Sequence, residues 1–413
     1  MEFLVFDLST IRRSEKEAYI GRERFGSWLA RLAIVGLACF LCAPWLLPSN
    51  TYYHRLIILF LWLPALLHLI LMRKGYPPLD KPFAWLYLLT SAWYMCVVVL
   101  GMEGGGELRE LKLPFYIALS LLGCMVSALY LRERFPSFLL LCCALGGLGA
   151  GLSWLNFYFV QGHDFSARVA SMGLWRAVIP AAQASGALLI LTLFLGFERR
   201  REPWLLCGLL LALLGFGVFL YFNQTRWVWW SLVLSCVGGA VLLRSKAACG
   251  VAVMALLLIG AIFLVSPDLL SKRGFSYRPE IWQGGLALLL ENWLHGVGFK
   301  EYWIEIISKP APFNHAHNML LDIGIRFGVP GLLLWVGLWC WTGWRAFKWR
   351  TTPLGGAMVA LWLYSGLVVL TDGTMPWVKP SAIWFVTWLP VALVLAMDAC
   401  ARQEQRELVP AAG

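Results

Sequence analysis

Twelve apolar runs leave this chain few folds to adopt. They lie near 28–47, 52–72, 83–101, 113–131, 136–160, 177–197, 204–222, 227–243, 248–265, 329–347, 354–371 and 381–398. Each is about long enough to cross a bilayer as a helix, at roughly 20 residues per crossing. With 60% hydrophobic and only 14% charged residues, the chain falls well outside the soluble range, where about a quarter are charged. The expected fold class is an all-α polytopic membrane protein of about 12 transmembrane helices, with a large periplasmic helical insert between spans 9 and 10.

A formal net charge of +11 does not indicate nucleic acid, because the basic residues gather in short loops between apolar runs. With both termini cytoplasmic, the inside segments hold Arg12, Arg13, Lys16, Arg22 and Arg24, then Arg73, Lys74 and Lys81, then Arg132 and Arg134. Arg199, Arg200 and Arg201, Arg244 and Lys246, Arg345, Lys348 and Arg350, and Arg402 and Arg406 continue the series. Short basic loops stay inside, as this arrangement requires. It divides the chain into a cytoplasmic segment (1–27), spans 1–9 (28–265), a periplasmic insert (266–328), spans 10–12 (329–400) and a cytoplasmic tail (401–413). No cleavable signal peptide is expected, since 1–27 are too polar and the first run is long enough to remain as a span. The eleven cysteines lie mostly in apolar runs. The Cys39/Cys42 spacing reads as packing, and no Cys/His cluster has zinc spacing.

This topology collects polar residues on one face, and arginines there are informative because the loop-charge rule does not ask for them. Asn223–Arg226 is a short turn followed by Trp227, Trp229 and Trp230. Arg226 there either snorkels to lipid head groups or holds a guanidinium able to clamp a phosphate bidentately. Arg278 precedes Pro279, which suits the mouth of a helix, where free N–H groups and the dipole already favour anions. A local Arg278–Glu280 pair is the plainer alternative. Lys272 and Arg273 read as solvated or touching lipid phosphate. Gly296 and Gly298 permit a tight turn or close approach to a ligand, and His295 between Leu294 and Gly296 reads as a structural hydrogen-bonder.

The densest local signal is Asn314-His315-Ala316-His317-Asn318, entering a helix. On that helix Asn318, Asp322 and Arg326 form a polar stripe at i, i+4, i+8. Histidines at i, i+2 share no helix face, so a His-His metal site is not expected. One of the pair as proton acceptor or orienting group fits better. Asp372, in the turn after the eleventh run, suits a cap or a partner to a histidine or a sugar hydroxyl.

Together these pieces resemble the O-antigen ligase family, within the wider superfamily of O-antigen ligases, O-antigen polymerases and protein O-oligosaccharyltransferases. The family pattern is His, then Asn/Ser/Gln, nine residues, then Gly-x-x-Gly/Thr/Tyr. Here it is His317-Asn318, nine residues, then Gly328-Val329-Pro330-Gly331. The arginine turn at Arg226, the large loop with Arg278 and the Gly296-x-Gly298 element follow in the family's order, over a shared region of roughly 185–345. The resemblance implies an inner-membrane enzyme with its active site facing the periplasm. It would move O-antigen glycan en bloc from undecaprenyl diphosphate to a sugar hydroxyl of lipid A–core, with membrane lipids as its surroundings and no nucleic-acid partner. Arg226 and Arg278 would bind the donor diphosphate and His317 would serve the acceptor. Asp372 would match an acidic residue of the last periplasmic turn, with Asn318, His315, Gly296 and Gly298 in support. No cofactor and no metal are expected, since fixed cations can stabilise the departing diphosphate and no outside carboxylate pair invites Mg²⁺. A polymerase or protein O-oligosaccharyltransferase would use the same donor. A lipid-linked glycan transporter or flippase would place ionisable residues in mid-span, where this chain has few.

Reporter fusions at Lys246 and Lys272 are expected to fall on opposite sides of the membrane. The same side for both would break the topology.

Overall fold

A computed structural model describes residues 8–101, 107–198, 203–265 and 277–408. Lys272, Arg273 and the Arg199–Arg201 cluster lie outside the described residues. In hydrocarbon, every backbone N–H and C=O must be satisfied within the protein, which leaves helices as the economical solution for runs of this length. Eleven of the twelve apolar runs lie mostly in helix, and the last, 381–398, opens with a short 3-10 turn at Ala382–Phe385 before its α-helix starts at Trp388. The helices are α1 (Leu8–Cys42), α2 (Asn50–Met72), α3 (Lys81–Leu100), α4 (Leu113–Leu131), α5 (Phe135–Leu155), α6 (Val178–Glu198) and α7 (Pro203–Asn223). They continue with α8 (Arg226–Leu243), α9 (Lys246–Val265), α10 (Arg278–Glu291), α11 (Met319–Lys348), α12 (Pro353–Val368) and α13 (Trp388–Leu408). Among the described residues, nine helical stretches are long and apolar enough to cross a membrane, one of them running from Leu108 to Val160 through α4 and α5. The fold is that of an all-α polytopic membrane protein.

The insert adds something the helical reading omits. Between α10 and α11 lies an antiparallel hairpin of β1 (Ile304–Ile306) and β2 (Lys309–Phe313). Ile281 and Leu289 of α10, Tyr302, Ile304 and Ile306 of the hairpin region, and Ala316 and Ile325 form a small core of their own.

The main core gathers around α6, α12 and α13, with Trp45, Trp335, Trp384 and Trp388 fully enclosed. α12 packs on α6 and α8, α13 on α4, and α3 on α11. Arg345, read from the sequence as a loop charge, is instead buried at the end of α11. It grips Asp398 of α13 with two bonds, Nε–Oδ2 at 2.7 Å and Nη2–Oδ1 at 2.5 Å, and Trp349 Nε1 donates to the same carboxylate. A bidentate, fully hydrogen-bonded pair is the form in which a buried charge is tolerated.

α5 and α7 approach most closely at glycines. A Cβ on Gly215 would stand 1.9 Å from the Gly147 carbonyl oxygen, and one on Gly147 would stand 2.4 Å from Ala212 Cα. Small residues let backbones meet in this way, and packing drives association where lipid offers no hydrophobic contrast. Gly215→Ala is expected to destabilise the detergent-solubilised protein by about 1–3 kcal/mol. Gly217→Ala, with nothing within 4 Å, is expected to stay within about 0.5 kcal/mol. Thermal unfolding of the two variants side by side is the measurement.

Candidate functional site

The site begins at a proline. Pro330 in α11 has no N–H, so the carbonyl of Arg326 loses its helical partner. The chain turns at Gly328, whose φ of 67° and ψ of −179° kink the helix without ending it. The released groups are taken up by the segment after α10. Gly298 N donates to Arg326 O at 2.9 Å, Val297 N to Ile325 O at 2.9 Å, and Val329 N to Trp293 O at 2.7 Å. Gly296 and Gly298 have φ of 72° and 66°, which glycine adopts freely. A Cβ on Gly296 would sit 2.3 Å from the Arg326 carbonyl carbon, and one on Gly328 would sit 2.3 Å from Leu294 O. The Gly-x-Gly and Gly-x-x-Gly elements therefore dock the insert onto a kinked span. Gly296 and Gly298 approach backbone, in place of the ligand approach that the sequence also allowed.

α11 starts at Met319, and Asn318 is its N-cap, with a side-chain oxygen that accepts from Leu321 N at 3.1 Å. His317 thus precedes the helix, with a left-handed φ of 49°, uncommon for a residue with a Cβ. This corrects the placement of His317 on the helix, and with it the argument that the two histidines cannot share a face. Their rings lie 3.7 Å apart between centroids. His315 Nε2 is 3.7 Å, and His317 Nδ1 3.4 Å, from Asp372 Oδ1.

Asp372 reaches the histidines because its loop is pinned along its length. Met319 N donates to Val369 O at 2.9 Å, Arg278 Nε to Thr371 O at 2.9 Å, and Gln183 Nε2 of α6 to Asp372 O at 2.8 Å. Met375 N donates to Asp322 Oδ2 at 2.7 Å. Burial alone would raise the Asp372 carboxyl; polar contact with His315 and His317 outweighs it and holds the group well below the usual carboxylate range. Asp372 is an anion wherever an imidazole titrates.

Asp322 binds these parts together. Its carboxylate is fully buried, accepts from Tyr302 Oη, and lies 3.3 Å from Arg326 Nε. Tyr302 Oη in turn accepts from Ala316 N at 3.1 Å, between the two histidines. Burial, followed by the charge of Asp322, raises the Tyr302 phenol, so it stays a donor. Arg326 also reaches Gly298 O at 3.2 Å. The Asn318–Asp322–Arg326 stripe is a brace for the insert. Glu280 accepts from Ser308 Oγ at 2.7 Å, which ties the hairpin turn to α10 and displaces the local Arg278–Glu280 pairing.

Arg226 opens α8 at the same end of the bundle. Trp227 Nε1 donates to Leu367 O at 2.8 Å, four residues before Thr371. The turn before it is fastened by a residue the sequence reading did not single out: Arg168, whose Nε and Nη2 bond Asn223 O and Thr225 Oγ1 at 2.9 Å each. Buried Asn223 donates to Val169 O and Val178 O.

Comparison with known proteins bears on this geometry. A family model described as O-antigen ligase matches residues 176–336. An O-antigen ligase of Pseudomonas aeruginosa is 29% identical over 351 residues, covering 84% of this chain and 85% of its own. Over this region the chain is similar to O-antigen ligases. The family match, expected over 185–345, runs from the segment before α6 to the middle of α11, and so includes Arg226, Arg278, His317 and the Gly328 kink. Asp372 lies beyond it in sequence and joins the site only through the fold.

Tyr302, Arg168 and Gln183 were missed because a lone tyrosine, arginine or glutamine carries no spacing signal. Asp322→Ala is expected to cost about 3–5 kcal/mol, as removal of one partner from a buried ion pair does. Hydrogen exchange should quicken both in the hairpin–histidine segment and around Met375. Quickening in one segment alone would show that Asp322 does not couple them.

Proposed function

We propose that the protein is an O-antigen ligase, transferring O-antigen glycan en bloc from undecaprenyl diphosphate to a sugar hydroxyl of lipid A–core at the periplasmic face of the inner membrane. The observation that carries the reading is the Asp372 carboxylate facing His315 and His317, on a loop whose neighbouring carbonyl is held by Arg278. Similarity to O-antigen ligases supports the reaction class.

In this reading the acceptor hydroxyl oxygen attacks the anomeric carbon and the bond from that carbon to the diphosphate oxygen breaks. The hydroxyl proton passes to His317, which Asp372 orients and whose positive form Asp372 stabilises. Base assistance of this kind contributes about 10²–10⁴-fold. The electron pair leaves with undecaprenyl diphosphate, whose charge Arg226 and Arg278 neutralise as fixed cations at two helix starts. Direct displacement inverts the anomeric centre. The reaction as written needs no metal ion.

His317→Ala is expected to suppress transfer to rough lipopolysaccharide by about 10²-fold or more while leaving binding of the lipid-linked donor largely intact. Arg278→Ala is expected to weaken donor binding itself, and Arg278→Lys and Arg226→Lys to remain harmful because the bidentate fork is lost. Equal loss of donor affinity in His317→Ala and Arg278→Ala would move the histidine to the diphosphate. Full activity in His317→Ala would remove it from the chemistry. A polymerase would reveal itself by lengthening the lipid-linked glycan with no acceptor core present.

A further inference from the structure

Two imidazoles and a carboxylate converge where the histidine spacing argued against a metal site. One ring nitrogen each from His315 and His317, and one oxygen of Asp372, lie within 4.8 Å of one another, a grouping unique among the described residues. Two of the three edges are 3.4 and 3.7 Å. Ligands about 2.0–2.1 Å from a tetrahedral zinc ion stand roughly 3.3 Å apart, so small ring rotations close the set. Nδ1 of His315 is buried without a hydrogen-bond partner, an unusual state for a buried polar atom, and His317 Nδ1 meets Asp372 only at a long 3.4 Å. The three side chains remain 29%, 21% and 15% exposed, so an ion has a way in.

We propose that His315, His317 and Asp372 form a site for one zinc ion, and that zinc held there blocks glycan transfer. The block rests on the reading of His317 as the acceptor-side residue; the binding does not. Zinc takes nitrogen and oxygen ligands in a four-coordinate shell, and three protein ligands leave the fourth position to water. Zinc on His317 Nδ1, the nitrogen facing Asp372, leaves the other ring nitrogen as N–H and unable to receive the acceptor proton, and it takes up the carboxylate that orients the ring. Mg²⁺ and Ca²⁺ prefer all-oxygen shells and find a single carboxylate here. The protein is then a metal-independent enzyme that zinc inhibits, so chelator preserves activity.

The test uses the full-length protein in nanodiscs without a histidine tag. After stripping with EDTA, reloading and desalting, about one zinc per chain should be retained, and Co²⁺ should give a visible ligand-field band. Equimolar zinc should lower transfer at least about tenfold and EDTA should restore it, while Mg²⁺ and Ca²⁺ do neither. His315→Gln should weaken zinc retention by more than the about 10–100-fold typical of an outer-shell change. His295→Ala, at an exposed histidine, should leave retention unchanged, with gel-filtration profiles showing that both variants are folded. Failure of the wild-type protein to retain zinc, or equal retention in His315→Gln, overturns the site. If zinc is not retained yet His317→Ala still abolishes transfer, the site falls and the catalytic reading stands. Zinc bound at one per chain with transfer undiminished overturns the block, and with it the placement of His317 at the acceptor.

Discussion

The carboxylate of Asp322 is the point on which the site's geometry depends. Its two oxygens face opposite ways. One takes the Tyr302 hydroxyl, which holds Ala316 N between the two histidines; the other takes Met375 N, in the loop that carries Asp372. One buried anion thus sets the distance between imidazole and carboxylate. A charge without solvent must be fully hydrogen-bonded or it destabilises the fold, and Tyr302, Arg326 and Met375 together meet that demand. A polar network satisfied in this way fixes its members closely, because any departure leaves a buried group unpaired.

The helices provide what the network is anchored to. α6 offers Gln183 to the Asp372 carbonyl, and Tyr364 of α12 donates to Gln183 O at 2.9 Å. The kink at Gly328 and Pro330 has the same purpose from the other side: the Arg326 carbonyl freed by the proline and the Ile325 carbonyl freed at the kink become the acceptors that fasten the segment after α10. Helix breakers in a span are tolerated where neighbouring backbone satisfies the released groups. Here the satisfied groups are also the hinge between membrane and insert, which explains physically why a Gly-x-x-Gly follows His317-Asn318 at fixed distance.

At the far end of the bundle, Arg345–Asp398 and Arg402–Asp80, at 2.6 Å, tie α11, α13 and the start of α3. These pairs hold charge at that end of the bundle, with the apolar core between it and the histidine cluster. The close contacts at Gly147 and Gly215 show that packing at its limit, where one added methyl has nowhere to go.

The sequence by itself determined the membrane class and the apolar segments that become helix. Apolar length and loop charge are local properties that no tertiary arrangement overrides in lipid. His317, Asp372, Arg278 and Arg226 were legible as polar residues gathered on one face, each with a structural reading beside the functional one. Only the tertiary structure decided which of them meet. Asp372 is 55 positions from His317, and the contact depends on a loop held by Asp322, Arg278 and Gln183, none adjacent to it in sequence. The histidine spacing misled for a related reason: the i, i+2 rule describes a helix, and His317 stands outside one, in a left-handed conformation. The turn that brings both rings to one carboxylate comes from long-range hydrogen bonds, and periodicity cannot register those.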